Sequence, residues 1–233
     1  MMKTVLNWSS GKDAALAYNM LLKQTQYQVT HLLTTISSEQ DRIVMHGVRE
    51  RLLDVQAERM GLPVKKIMLP ASPDDAIYKR LMLDSLSTLK DEGVVASAFG
   101  DIFLEDLKNY REEQLATIGM QAVFPLWKKD TRSLIATLED EGIEAMTVCV
   151  NENYLGKEFL GRKIDRRFLN DLPDDVDPCG ENGEFHTFVY NASYFNAPIP
   201  IVQKEGVYKK YPSPDGDNKW DTGFYFLDID VAG

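Results

Sequence analysis

The sequence predicts an α/β fold: a parallel sheet with helices on both faces, followed by a smaller C-terminal α+β domain. Three observations carry this. Short apolar runs alternate with longer segments of helical spacing as far as residue 150, the pattern of repeated strand–helix–strand units. The residues with chemistry to offer (Ser9 to Asp13, Ser37 and Ser38, Gly100 and Asp101) stand where those runs end. Open α/β sheets bind their ligands beyond the carboxyl ends of the strands. Past residue 150 the texture changes. "NDLPDDVDPCGENGEF" (170–185) is a loop rich in Asp, Pro and Gly, while "FHTFVYNASYF" and "GFYFLDIDV" alternate like strands. The boundary falls around Leu126 to Asp130 and divides the chain into 1–128 and 129–233.

Taken in order, "KTVLNWS" (3–9) reads as a buried strand. A helix follows over 11–24, with Ser9 and Ser10 as cap candidates. "VTHLLTTIS" (29–37), β-branched and apolar, is the second strand. "GVRERLLDVQAERMG" (47–61) is an amphipathic helix closed by Gly61, with Pro63 just beyond. "VKKIMLP" (64–70) is the third strand, and 73–91 carries Ile77, Leu81 and Leu89 at helical spacing. "VVASAFGD" (94–101), a helix over 103–118 and "QAVFPLW" (121–127) continue the alternation. A helix over 130–141 and the strand "EAMTVCV" (144–150) follow.

With 233 residues, 44% hydrophobic and 27% charged, the chain can bury a substantial core. Its formal net charge of -10 disfavours general binding to phosphate backbones, so nucleic acid is not an expected partner. The two cysteines, Cys149 and Cys179, form no CxxC pair, which speaks against zinc and against a disulfide framework. "MMKTVLNW" is broken by Asn7 and Ser9 too early for a signal peptide or a membrane span. A reduced cytoplasmic chain with no membrane partner is the expectation.

"SSGKD" (9–13) sits at a strand-to-helix junction. A helix N-terminus presents unpaired N–H groups and partial positive charge, so it favours phosphate. Gly11 permits close backbone approach, Ser9 and Ser10 offer hydroxyls, and Lys12 offers a full charge. Asp13 could hold a Mg²⁺ ion or merely favour the helix start; the bland alternative for the whole stretch is a capped helix. The G-x-x-x-x-G-K-[ST] pattern fails, because Leu6 and Asp13 stand where Gly and Ser or Thr are needed. G-x-G-x-x-G fails because Gly11 is alone.

A third loop fits better. "SSGKDA" resembles the S-G-G-x-D-S pyrophosphate loop (PP-loop) of the N-type ATP pyrophosphatases, whose sheet is Rossmann-like, of the HUP type. Ser10 replaces a Gly of that pattern and Ala14 its final Ser. "RIVMHG" (42–47), "FGDI" (99–102), "YREEQL" (110–115), "PLW" (125–127), "LGRKID" (160–165) and "CGENGEFHTFV" (179–189) follow in this order. Together they resemble the diphthine–ammonia ligase family over nearly the whole chain. The resemblance implies ATP and Mg²⁺ as cofactors, and ammonia and a carboxylate acceptor, small molecule or protein side chain, as partners. The carboxylate would be adenylylated, pyrophosphate displaced, and AMP displaced by ammonia to give an amide. A homodimer is compatible with it. Gly183-Glu184-Phe185-His186-Thr187 departs from the family's usual G-E-[YF]-E-T, so the acceptor stays open between diphthine and another carboxylate.

On this resemblance Lys12, Asp101 and Glu184 are catalytic candidates. Ser9, Ser10, Gly11, Lys12 and Asp13 would bind the nucleotide, with Asp13 also the metal candidate. His46, Arg111, Glu113, Glu181, His186 and Thr187 would bind substrate. Each has a plainer reading: Asp101 as a helix cap, Arg111 with Glu113 as a surface pair, His46 as an exposed residue at a helix start, Glu181 and Glu184 as an acidic loop. His31, Cys149 and Cys179 read as structural. Two rivals remain: a tRNA-modifying ATP pyrophosphatase, against which the net charge and the missing CxxC speak, and a non-catalytic nucleotide-binding protein, which Ser10 and Ala14 keep open.

Overall fold

Strand β1 (Met2–Asn7) is the centre of the molecule, and its burial explains its composition. Val5 and Leu6 are both fully buried, yet Val5 belongs to one core and Leu6 to the other, because successive side chains leave opposite faces of a strand. A strand covered on both faces reads as a continuous apolar run, not an alternating one. The computed structural model describes residues 1–44, 46–71, 73–211 and 222–232.

On either side of β1 lie parallel neighbours. β2 (Tyr27–Ser37) pairs along one edge, from Met2 opposite Tyr27 to Asn7 opposite Leu33. β4 (Val64–Leu69) pairs beyond β2. β5 (Ala96–Ala98) pairs along the other edge of β1, and β6 (Gln121–Val123) pairs beyond β5. The parallel order is β4-β2-β1-β5-β6. A two-residue strand β3 (Arg42–Ile43) folds back antiparallel on the end of β2. Helices α1 (Lys12–Leu22), α2 (Glu50–Met60) and α5 (Thr131–Asp140) supply Leu16, Leu53 and Leu134 to one core. Helices α3 (Asp75–Asp91) and α4 (Glu105–Thr117) supply Leu86, Leu89 and Leu115 to the other. The sheet therefore carries helices on both faces, as predicted. The chain leaves β1 toward β2 and β4, then crosses back to β5 and β6. The crevice where direction reverses lies beyond the carboxyl ends of β1 and β5.

The second sheet is antiparallel, in the order β8-β7-β10-β9. It comprises β7 (Glu144–Asn151), β8 (Phe185–Asn191), β9 (Ile201–Tyr211) and β10 (Thr222–Val231). Helix α6 (Arg166–Asp171) packs on α5. The strand at 144–150, which follows the strand–helix alternation without a break, thus joins this sheet and not the parallel one. Both sheets share one core: Leu6 and Leu16 belong to the same buried cluster as Phe168, Phe185 and Phe188.

Three local expectations change. Gly11, not Ser9 or Ser10, is the N-cap of α1, and no side chain caps it. Ser10 instead adopts a left-handed conformation, φ 71, and turns the chain. The strand expected through Phe195 stops at Asn191. β9, not read from the sequence, is an edge strand whose residues are mostly exposed, so "IVQKEGVYKKY" shows little apolar alternation.

Candidate active site

The crevice beyond β1 and β5 is a cleft of about 440 Å³. That volume suits a nucleotide-sized ligand. One wall is the junction between β1 and α1. Asn7, at the end of β1, donates through Nδ2 to Ser97 Oγ at 2.8 Å and Ala98 O at 2.9 Å, so it ties the two strands whose ends open the cleft. Glycine at position 100 is a packing requirement. A Cβ there would stand 2.9 Å from the Asp13 carbonyl carbon and 3.1 Å from Ala14 N. Gly11 is similar, since a Cβ would meet His46 Cε1 at 2.9 Å.

Lys12 opens α1 and is almost wholly buried, an unusual place for a lysine. Its Nζ sits 2.9 Å from Asp13 Oδ2, donates to Cys179 O and lies 5.1 Å from the Phe185 ring centroid. Burial opposes its charge, but the neighbouring Asp13 carboxylate more than restores it, so the pKa of Lys12 rises and the ammonium persists. Asp13 uses one oxygen on Lys12, while its Oδ1 is buried without any hydrogen-bond partner. An orphaned buried carboxylate oxygen in a cleft is an acceptor awaiting a donor or a cation. Asp13 is therefore the residue that fits Mg²⁺, a metal that needs only one or two carboxylates besides phosphate oxygens. Among the described residues no group of three or more His, Cys, Asp or Glu gathers to hold a metal.

Across the cleft, Arg111 on α4 faces Asp101. Its Nη2 donates to Oδ1 at 3.2 Å, and Nε lies 2.7 Å from Oδ2, off the N–H axis, as an ion pair without an aligned hydrogen bond. The guanidinium also stacks 4.4 Å above the Phe99 ring. This residue carries the charge the sequence suggested. Glu113 does not accompany it: it lies on the exposed side of α4 and does not line the cleft. The (i, i+2) spacing puts the two side chains on different faces of the helix.

The third wall is the 177–187 loop, distant in sequence and adjacent in space. Thr187 Oγ1 accepts from Lys12 N at 3.0 Å, and Val189 N donates to Ser10 O at 2.9 Å, so β8 is laced to the junction. His46 Nδ1 lies 3.2 Å from Thr187 O, and its ring stands 4.6 Å from that of His186. Burial lowers the His46 pKa to about 4 and holds His186 well below its ordinary value, so both rings are neutral at pH 7. Glu181 lines the cleft and accepts from Ile102 N at 2.7 Å. Burial, with Asp13 and Asp101 nearby, raises its carboxyl to about 7. Such a carboxyl exchanges its proton easily near neutrality.

Two sequence expectations are corrected here. Glu184 is buried and does not line the cleft. Its carboxylate accepts from Asp177 N at 3.0 Å, Asn182 N at 2.9 Å and Asn182 Nδ2 at 3.0 Å, so in this structure it braces its own loop. Ser10 also turns inward. Its side chain does not line the cleft and its buried Oγ has no partner, so what it contributes is its backbone. Gly11 likewise shapes the junction without lining the cleft, whereas Ser9, Lys12 and Asp13 do line it.

One residue escaped the sequence reading. Gln56 of α2 is fully buried; it accepts from Trp8 Nε1 at 2.8 Å and donates to Ser10 O at 3.2 Å and Val189 O at 2.7 Å. It holds the left-handed turn at Ser10 in place. Its signal was a glutamine among Leu52, Leu53 and Ala57 on the apolar face of a helix.

A parallel sheet with the order seen here, a helix N-terminus bearing a buried lysine at its switch point, and an arginine facing it define a nucleotide-handling α/β protein. Comparison with known proteins gives the family. The diphthamide synthase N-terminal domain matches residues 2–122 and the diphthamide synthase C-terminal domain matches 130–232. The chain belongs to the diphthamide synthase family and is an enzyme of the ligase class. It is 26% identical over 189 residues to a diphthine–ammonia ligase of Danio rerio, covering 73% of each chain. It is 24% identical over 222 residues to one of Bos taurus, covering 85% of this chain and 82% of the relative. No helix among the described residues is long and apolar enough to cross a membrane.

Proposed function

We propose that the protein is an ATP-dependent, AMP-forming amide ligase that works in the cleft beyond β1 and β5. The observation that carries this is the buried Lys12 ammonium at the start of α1, with the orphaned Asp13 Oδ1 beside it and Arg111 opposite. The triphosphate would lie against Ser9, Lys12 and Asp13. The base would lie along Leu33, Thr34, Ile43 and Val44, at the ends of β2 and β3. The division of labour follows the two parts of the chain: 1–128 hold the nucleotide, and 129–233 hold the acceptor and close the cleft through Glu181, His186 and Thr187.

In the first step an acceptor carboxylate oxygen attacks the α-phosphorus. The bond to the bridging oxygen breaks, and pyrophosphate leaves with the electron pair. Lys12 and the first-turn N–H groups of α1 stabilise that departing charge. Mg²⁺ at Asp13 would supply neutralisation of phosphate charge. In the second step ammonia attacks the acyl carbon, the acyl–oxygen bond to AMP breaks, and the nitrogen sheds a proton. Glu181, titrating near 7, takes that proton. Asp101, paired with Arg111, fixes the guanidinium and is a positioning residue in this scheme. Nucleotide chromatography after turnover tests the reading. AMP and pyrophosphate are expected; ADP and phosphate would overturn it.

A further inference from the structure

Gln56 does not line the nucleotide cleft, yet it joins three elements that build it. It stands fully buried on α2, beside Leu52, Leu53 and Ala57. A glutamine amide carries two N–H donors and an acceptor oxygen, and in a sealed interior each needs a partner. Here each has one. Oε1 accepts from Trp8 Nε1 at 2.8 Å, while Nε2 donates to Ser10 O at 3.2 Å and Val189 O at 2.7 Å. The orientation of the amide is forced, because an indole N–H can only donate and a backbone carbonyl can only accept.

The bond to Ser10 O acts beyond Ser10. A trans peptide is planar, so its C=O and N–H point in opposite directions. Ser10 O is held by Gln56 Nε2 from α2 and by Val189 N, at 2.9 Å, from β8. The Gly11 N–H of the same peptide points away from both, and its acceptor is Ser9 Oγ at 3.4 Å. A hydroxyl oxygen that accepts from a backbone N–H keeps its own proton to donate elsewhere. Ser9 is half-buried and lines the cleft. Ser10 itself is left-handed, φ 71, a conformation that a serine keeps only where its surroundings impose it.

We infer that Gln56 is a positioning residue for the nucleotide phosphates: by locking the Ser10–Gly11 peptide it keeps the Gly11 N–H on Ser9 Oγ and leaves the Ser9 hydroxyl free to donate to phosphate. The inference rests on the ligase reading above, which lays the triphosphate against Ser9, and names what holds that loop in its binding form. A side chain that only filled the apolar face of α2 would need no amide. The two carbonyls that this amide binds belong to the turn of the phosphate loop and to the β8 strand laced to it.

The test is a double-mutant cycle on full-length chains, each titrated by calorimetry with α,β-methylene-ATP at a temperature where it is folded. Gln56→Met keeps the size of the side chain and loses its hydrogen bonds; Ser9→Ala removes the hydroxyl. Each is expected to weaken the analogue about five- to tenfold. The double variant should bind within about twofold of Ser9→Ala alone, because the two changes remove one interaction. Adenosine, which has no phosphates, should bind every variant within about twofold of the wild type. Unchanged affinity for the analogue in either single variant overturns the inference. Losses that multiply in the double variant overturn it too, as does an equal loss of adenosine affinity in Gln56→Met, the mark of a damaged fold. Gln56→Glu serves if the methionine variant does not fold: it keeps the acceptor for Trp8, sets an oxygen where the donor stood, and should weaken the analogue at least as much. The wild type alone gives a further check, since the amide resonance of Gly11 should shift on addition of pyrophosphate and not of adenosine; a resonance that pyrophosphate leaves in place overturns the inference whatever the variants do. Failure of the ligase reading looks different: the wild type then yields ADP from ATP, whatever the cycle shows.

Discussion

The two loops that face each other across the nucleotide cleft use similar means to opposite ends. The 9–13 loop and the 177–187 loop both turn on left-handed residues: Ser10 with φ 71 in the first, Gly180 with φ 66 and Gly183 with φ 85 in the second. Both carry acids. In the first loop Asp13 leaves an oxygen buried and unpartnered. In the second, Glu184 spends its carboxylate on three N–H donors, and Asp177 Oδ2 accepts from Cys179 N at 2.9 Å and Glu181 N at 3.1 Å. A satisfied buried acid is scaffolding, and an unsatisfied one is poised for a ligand. Glu181 stands between the two cases, with one hydrogen bond and a raised pKa.

The largest expected effect is on the scaffold. Glu184→Leu removes the buried acceptor for three N–H groups, of which the two of exposed Asn182 can turn to water while half-buried Asp177 N cannot do so fully. One orphaned donor costs roughly 1–3 kcal/mol, so with the loss of the loop's brace a fall of about 2–3 kcal/mol in unfolding free energy is expected by urea denaturation. Glu184→Gln keeps one acceptor oxygen and should lose about half of that. A loss below about 1 kcal/mol for the leucine variant would return Glu184 to the list of catalytic candidates.

Lys12→Ala sharpens the other side of the comparison. It should weaken ATP by about 1.5–3 kcal/mol, the range for hydrogen bonds to a charged group. Calorimetric titration reads this directly. An unchanged affinity would mean that the buried ammonium serves only to tether Cys179 O.

How much of this was legible from the chain differs between the two loops for a physical reason. The 9–13 loop is local: strand, turn and helix are contiguous, and their chemistry stands in five consecutive residues. The parallel sheet was legible for the same reason, because each strand–helix unit is a local pattern. The role of Glu184 was not, since "GENGEFHT" (180–187) shows two loop acids without showing which one finds N–H donors. Nor was Gln56, whose partners Trp8, Ser10 and Val189 come from three separate elements. Glu113 lies off the cleft because a motif records spacing, whereas the turn of the helix decides which face a residue occupies. β9 escaped because an exposed edge has no apolar period to display.

The histidines that join the two loops supply a third test. His46 titrates near 6.5 when unfolded and near 4 when folded, so between these values the unfolded chain binds more protons. Its contribution to stability is complete above 6.5 and is lost as pH falls toward 4. From about pH 7.5 to pH 5 the wild type should lose about 2 kcal/mol through this group. His46→Gln cannot lose it, so the stability gap between the two proteins should shift by that amount in favour of the variant at low pH. His186, depressed by the same burial and by His46 itself, adds loss in the same direction. A gap independent of pH would mean that the rings are hydrated in solution and already titrate normally.

The smallest effect separates backbone from side chain in the 9–13 loop. Ser10 is held left-handed by its carbonyl, which accepts from Val189 N and Gln56 Nε2, while its own Oγ is buried without a partner. A non-glycine residue in that conformation is strained by roughly 1–2 kcal/mol. Ser10→Gly relieves the strain and removes the orphaned hydroxyl, but gives the unfolded chain more freedom to lose. The balance should be a gain of about 0.5–1 kcal/mol, or a few degrees in melting temperature. ATP affinity should not change, because the Ser10 side chain does not line the cleft. A stabilised variant that binds ATP normally would assign the loop's grip to Ser9, Lys12 and Asp13. A stabilised variant that binds ATP about tenfold more weakly would show that the Ser10 hydroxyl turns toward the nucleotide when it arrives, and that its strain is held in reserve for that purpose.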